Sequence, residues 1–270
     1  LTSDDIYHRR LGFKKEGREE IKSLKHVKNV IGRTDWDKAS SYFANHNVNY
    51  YFCNEVLRSS FYTGRWSYKD CDKHLIFMSQ GFYPIKGLHY VLRAMSYIKQ
   101  SYPDVRLNVA GNTFFHHNRF LETGYERYIR KLIEVNELRD NVRFVGEMGE
   151  REMKDQFMKC NVFLSPSTVE NESNSLSEAK ILGVPIVASF VGGVTNRLVN
   201  GYDGYLYQHD AVYMLAWYVM KIFEDPKKAE VLGGNAREEA LKTNDVDNNT
   251  SQMISIYRDV IRRCEENKDV

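Results

Sequence analysis

Residues 161–193 read NVFLSPSTVENESNSLSEAKILGVPIVASFVGG, and the reading of this stretch decides the fold. Two short apolar runs, NVFLS at 161–165 and PIVAS at 185–189, read as buried strands. Between them lie a polar loop and a helical segment at 175–182, which Gly183 ends ahead of Pro185. Strand, helix and strand in that order are the unit of a parallel sheet covered by helices. Two acids, Glu170 and Glu178, stand eight positions apart across the helix start, wedged between the buried runs.

The same alternation extends in both directions. HLIFMS (74–79), RLNVA (106–110) and VRFVG (142–146) read as strands, with helices near 87–101, 122–136 and 149–159 between them. After PIVAS come GGVTNRLVN, a short GYLYQ strand and helices near 210–224, 226–241 and 248–266. Asp210 and Asp225-Pro226 punctuate the first two of these. The pattern predicts an α/β domain, a Rossmann-like doubly wound parallel sheet, from about residue 70 onward. Ahead of it, KNVIG (28–32) reads as one more strand and TDWDKASSYFA as a helix, while NHNVNYYFCNEVLRSSFYTGRWSY shows no clear period. One strand and one helix cannot bury both their faces. Residues 1–48 therefore read as the end of a preceding domain, and 49–270 as a connection (49–73) followed by the Rossmann-like domain. An opening on Leu1 rather than Met fits a fragment of a longer protein.

Composition excludes several classes. With 38 Lys and Arg against 36 Asp and Glu, the net charge of +2 gives no field that would favour nucleic acid or an anionic membrane. Cys53, Cys71, Cys160 and Cys264 show no CxxC or His-linked spacing, and they read as reduced thiols of a cytoplasmic protein. No apolar run approaches the ~20 residues of a membrane span, and the first thirty residues are too charged for a signal peptide.

In open α/β sheets the chemistry lies in the loops after the strands. QGFYPIKG (80–87) follows the first strand: Gly81 and Gly87 allow close backbone approach, and Lys86 offers a fixed positive charge. It matches neither a GxGxxG fingerprint nor a Walker loop, and by itself it is as readily a capped surface loop. VASFVGGV (187–194) ends in Gly192-Gly193, a turn that could receive a sugar or phosphate but more commonly is only a turn. If Ser175 caps the helix, the amides of Leu176, Ser177 and Glu178 point outward, and Glu178 has the capping-box spacing. Glu170 has no such structural role, and a carboxylate there suits the hydroxyls of a sugar; Glu172 reads as solvent-facing. His116 and His117 lack a helically spaced partner for a metal, and Asp35 and Asp37 of TDWD are explained by helix capping at least as well as by metal binding.

Taken together these loops resemble the donor-binding half of a GT-B glycosyltransferase of the large retaining family four. The resemblance rests on Glu170 and Glu178 at the family's seven-residue separation, Pro166-Ser167 ahead of them, Gly183 to Val187 and Gly192-Gly193 behind. YPIKGLHYVLRAM, LNVAG, FVGEM and NGYDGYLYQ follow in matching order, so that residues 74 to about 265 are covered. The resemblance implies a nucleotide-diphosphate sugar as donor substrate and no metal or other cofactor. Lys86 would hold the diphosphate, helped by the amides around Asn174, Ser175 and Leu176. Glu178 would take the ribose and Glu170 the transferred hexose, while Gly81 lies in the diphosphate loop and Arg143, Phe144 and Gly146 lie beside the base. Lys86 and Glu170 are the expected catalytic residues. The partners implied are a nucleotide sugar and a carbohydrate or lipid-linked acceptor, in polysaccharide or glycoconjugate synthesis. Nucleic acid is not among them, and any peripheral membrane association would belong to the acceptor-side domain. Two departures stand out: Gly81 occupies a position where the family carries arginine, and Asn171-Glu172-Ser173 replaces Gly-Phe-Gly, so the sugar's identity does not carry over. VIGRTDWDKA resembles the end of the acceptor domain and IRRCEENK the helix that returns to it.

Two other classes use such a sheet. A nicotinamide oxidoreductase needs a glycine fingerprint after its first strand, and HLIFMSQGFYPIKG has none. A non-catalytic nucleotide-binding module differs in binding the nucleotide without transferring or hydrolysing any sugar.

Overall fold

The computed structural model describes residues 4–112, 114, 115 and 122–266, with side chains from residue 12 onward. It divides into two compact units, one of residues 1–56 with 243–270 and the other of residues 57–242.

The first unit opens with a helix that no apolar face announces in the sequence, α1 (Asp4–His26). Strand β1 (Asn29–Gly32) and helix α2 (Asp35–Ala44) follow where the pattern places them. The aperiodic stretch after α2 holds an unanticipated strand, β2 (Asn49–Phe52), which runs parallel to β1 in register from Asn29↔Asn49 to Gly32↔Phe52. Its four residues carry no alternation of their own. Pairing with β1 and the Tyr50 hydroxyl, which donates to Thr34 O (3.1 Å) and to Asp37, hold it in place.

The second unit starts with the short helix α3 (Ser59–Tyr62). It then alternates β3 (Leu75–Met78), α4 (Leu88–Ser101), β4 (Arg106–Ala110), α5 (Gly124–Val135), β5 (Val142–Gly146), α6 (Glu150–Lys159), β6 (Val162–Ser165), α7 (Asn174–Leu182), β7 (Ile186–Ser189), β8 (Tyr205–Tyr207), α8 (Val212–Glu224) and α9 (Pro226–Thr243). Helix α10 (Val246–Glu266) returns to the first unit, where the Tyr51 hydroxyl donates to Asp259 at 2.8 Å. The six strands β3 to β8 form one parallel sheet in the order β5-β4-β3-β6-β7-β8.

Burial explains why the short apolar runs read so clearly. Every residue of β3, β6 and β7 is buried, because helices cover both faces of the sheet. Helix α4 turns Leu88, Val91, Leu92, Met95 and Ile98 inward at helical spacing. Phe77, Phe157 and Phe163 meet edge to face or tilted at 5.0–6.1 Å between ring centres and anchor the middle of the sheet. Among the described residues no helix is long and apolar enough to cross a membrane.

Candidate functional site

The strand order reverses between β3 and β6. From β3 the chain builds outward through β4 and β5, then returns to lay β6 against the other side of β3, so the loops after β3 and β6 part and leave a crevice at the carboxyl edge. Three loops meet there: 79–87, 166–173 and 190–193. The Thr168 N–H donates to Ile85 O (2.8 Å) and the Gly193 N–H to Glu170 O (3.1 Å). The Ser189 hydroxyl donates to Ser167 O. Spacing between these loops is so close that a methyl on Gly87 would lie 2.0 Å from Pro166 O. Gly192, with φ of +46°, stands in the same relation to Glu170 O, also at 2.0 Å. The second glycine loop is thus a loop-to-loop seam that fixes Glu170.

Lys86 and Glu170 are brought together at this seam. Lys86 ends a short 3-10 turn (Pro84–Lys86), and its ammonium donates to Glu170 Oε2 at 2.6 Å, with the Ser167 hydroxyl on the same oxygen at 3.1 Å. Both side chains stay partly open to solvent, at 27% and 14%. A fixed cation facing outward beside a fixed carboxylate can hold an anion with the one and hydroxyl groups with the other.

Gly81 plays a different part from the one its position suggests. A Cβ there would point at Val109 Cγ1 (2.4 Å) and Leu88 Cδ2 (3.2 Å), so its smallness serves packing beneath the loop and not ligand approach. An arginine at 81 would have to displace Val109.

Around α7 the structure corrects two expectations. The N-cap is Ser173, without a side-chain cap, rather than Ser175. The amides of Leu176 and Ser177 both turn back to Ser173 O (2.9 and 3.2 Å), which leaves Asn174 and Ser175 as the outward first-turn donors. Glu178 therefore closes no capping box. It is buried, at 5% exposure, and its Oε1 accepts from Arg58 Nε (2.8 Å) and lies 2.7 Å from Arg58 Nη2. Burial pushes its carboxyl above the ordinary value against the pull of Arg58. Glu172, expected in solvent, is also buried: Arg197 Nη2 donates to its Oε2 at 2.8 Å, and a second buried pair, Lys180 with Asp203 at 2.9 Å, lies alongside under the same helix. These pairs tie the 171–173 loop and α7 to the turn after β7.

The base-side residues are not gathered with the pair. Arg143, Phe144 and Gly146 lie on β5, the outer strand, two strands from β3 and therefore about 10 Å across the sheet. Alternation sends Arg143 and Phe144 to opposite faces. Phe144 packs on Phe114 and Phe115 (4.8 and 5.0 Å between centres), whereas Asn108, in register with Arg143, bonds to Gln156 of α6. In the first unit, Asp37 completes a capping box with Thr34 at the start of α2, which accounts for the TDWD acids structurally. His116 and His117 lie outside the described residues, among which no three His, Cys, Asp or Glu side chains gather as a metal site requires.

Sequence reasoning missed Arg58, Ser167 and Arg197. Ser167 stood beside the motif and was recoverable from its spacing to Glu170. Arg58 lies 120 positions from its partner, and no local pattern connects them.

Comparison with known proteins bears on the family and the fold. The family model for glycosyl transferases group 1 matches residues 66–239. An uncharacterized glycosyltransferase of Methanocaldococcus jannaschii is 25% identical over 193 residues, 70% of this chain and 46% of that protein. A glycogen synthase of Mycobacterium tuberculosis is 24% identical over 188 residues, 68% of this chain and 43% of that protein. The chain thus spans less than half the length of these curated relatives. Among solved structures, sucrose-phosphate synthase from Thermosynechococcus elongatus superposes with a TM-score of 0.77 at 23% identity, over 90% of this chain and 61% of that one. HepE from Anabaena in complex with UDP-glucose gives 0.78 at 19% identity, over 90% and 67%. At these identities the structural likeness speaks for the fold.

Proposed function

The chain belongs to the glycosyl transferases group 1 family, and from that premise we propose that residues 57–242 bind a nucleotide-diphosphate sugar at the carboxyl edge of the sheet. In the complete protein this sugar passes to a carbohydrate or lipid-linked acceptor with retention of configuration. The observation that carries the reading is the Lys86–Glu170 pair held at the loop seam, with Glu178 behind it at the family spacing.

Each residue has a task suited to its surroundings. The Lys86 ammonium takes the diphosphate and steadies the charge that develops on it as the glycosidic bond breaks, an electrostatic role that needs no metal. The amides of Asn174 and Ser175 add donors at a helix start, where the backbone dipoles favour an anion. Glu170 accepts hydrogen bonds from hexose hydroxyls, and Glu178 from the ribose. The solved HepE complex contains UDP-glucose, which makes uridine the first base to test.

A thermal-shift panel of UDP, GDP, ADP and their sugars on this chain tests the reading. A bound ligand stabilises the folded state by about 2.7 kcal/mol at 100 times Kd, so one nucleotide series is expected to raise Tm. Lys86→Ala and Glu178→Ala are expected to abolish most of that rise. Silence across the panel, or unchanged affinity in both variants, overturns the assignment.

A further inference from the structure

Arg58 precedes the motifs that point to a site and sits at the start of α3, where its carbonyl accepts from the Phe61 N–H (3.1 Å). Its guanidinium is held from two sides. One side lies over the Phe61 ring, 4.6 Å from its centre. That ring is fully buried and meets Phe157 edge to face at 6.1 Å. On the other side, Nε and Nη2 both approach the same oxygen of Glu178, Oε1, at 2.8 and 2.7 Å. Arginine usually meets a carboxylate fork to fork, one nitrogen to each oxygen. Here the fork is spent on one oxygen, and Glu178 Oε2 receives no protein donor among the described residues. Glu178 is buried as a residue, and its second oxygen keeps lone pairs that a ligand hydroxyl can fill.

We propose that Arg58 is the positioning residue that makes this site select a ribonucleotide: it pins Oε1 of Glu178 and so presents Oε2, in one orientation, to a ribose hydroxyl. The assignment rests on Glu178 taking the ribose, as proposed above, and adds the residue that gives the carboxylate its direction. A freely rotating carboxylate would offer either oxygen, or water, in place of the missing hydroxyl of a deoxyribonucleotide. A pinned oxygen that the bound nucleotide covers without supplying a hydroxyl is left unsatisfied, and this is what rejects an analogue lacking one hydroxyl. A hydrogen bond to a charged acceptor contributes about 1.5–3 kcal/mol, so the expected preference for ribose is about 10- to 100-fold.

The test is calorimetric titration of the 270-residue chain with UDP, GDP and ADP and with their 2′-deoxy and 3′-deoxy counterparts, for the wild type, Arg58→Ala and Arg58→Lys. The wild type is expected to prefer the ribo form over at least one deoxy form. Arg58→Ala is expected to bring that ratio to within about threefold by weakening ribo binding while leaving deoxy binding nearly unchanged. Lysine keeps the charge but not the two-donor fork, so Arg58→Lys should show the same collapse, less completely, and serves if the alanine variant does not fold. A merely structural role would weaken ribo and deoxy forms alike, and a ratio that survives both substitutions overturns the inference while leaving the donor site standing. A wild type that binds nucleotides without any ribose preference removes the role of Glu178, and one that binds none removes the donor site; either result takes the inference with it.

Discussion

Replacing Gly192 by alanine probes the seam on which the site depends. Its φ of +46° alone costs an alanine about 1 kcal/mol. The added methyl would also lie 2.0 Å from Glu170 O, and ordinary contact begins at 3.4 Å, so the two loops must part by about 1.4 Å. Parting them breaks the Gly193 N–H to Glu170 O hydrogen bond, now 3.1 Å, for about another 1 kcal/mol. Together with residual strain the loss is about 2–4 kcal/mol, a large share of a typical 5–15 kcal/mol. Gly201 provides the control: its φ is +78°, but nothing lies within 4 Å of its Cβ position, so Gly201→Ala should cost only the backbone part, about 1 kcal/mol. Urea melts of the two variants measure the difference, and a nucleotide titration of Gly192→Ala should show weakened binding, because Glu170 no longer meets Lys86 at 2.6 Å. If Gly192→Ala costs no more than Gly201→Ala, the loops are not locked together as described and the seam has no energetic meaning.

Two further outcomes follow from buried charge. His89 is held neutral, its pKa lowered to about 4 from 6.5 by burial and then by Arg93 one turn along α4. Between those values the unfolded chain binds more protons than the folded one, so stability is present above pH 6.5 and lost as pH falls toward 4. With the ring partly solvated, the loss is on the order of 2 kcal/mol, and it should shrink in His89→Gln when urea midpoints are compared across that window. Separately, breaking the buried Glu172–Arg197 pair by Arg197→Met should cost about 3–5 kcal/mol. Adding Glu172→Leu should recover most of it, and a double variant no more stable than the single one would show that the pair is not the source of the loss.

Glu170 was legible in the sequence because nothing local explained it, and the ordered neighbouring loops supplied a use for it. Glu178 was legible by the same spacing, but its local explanation as a capping-box residue fails. The helix begins two residues earlier than a Ser175 cap would require, and the carboxylate turns to Arg58 instead. Glu172 was misjudged because its partner, Arg197, lies beyond the next strand. Strand β2 escaped notice because four residues paired to a neighbour need no pattern of their own.

By itself the sequence determined the alternation of strands and helices, the parallel sheet and the loops in which chemistry had to be sought. Those properties arise from the spacing of apolar residues along the chain, which periodicity records directly. Tertiary structure alone decided which loops share the crevice, that Gly81 faces the core, and that Arg58 and Glu178 form one unit. These depend on where the strand order reverses and on contacts between residues up to 120 positions apart. A linear pattern carries no trace of such contacts, because their free energy appears only once the intervening chain has packed.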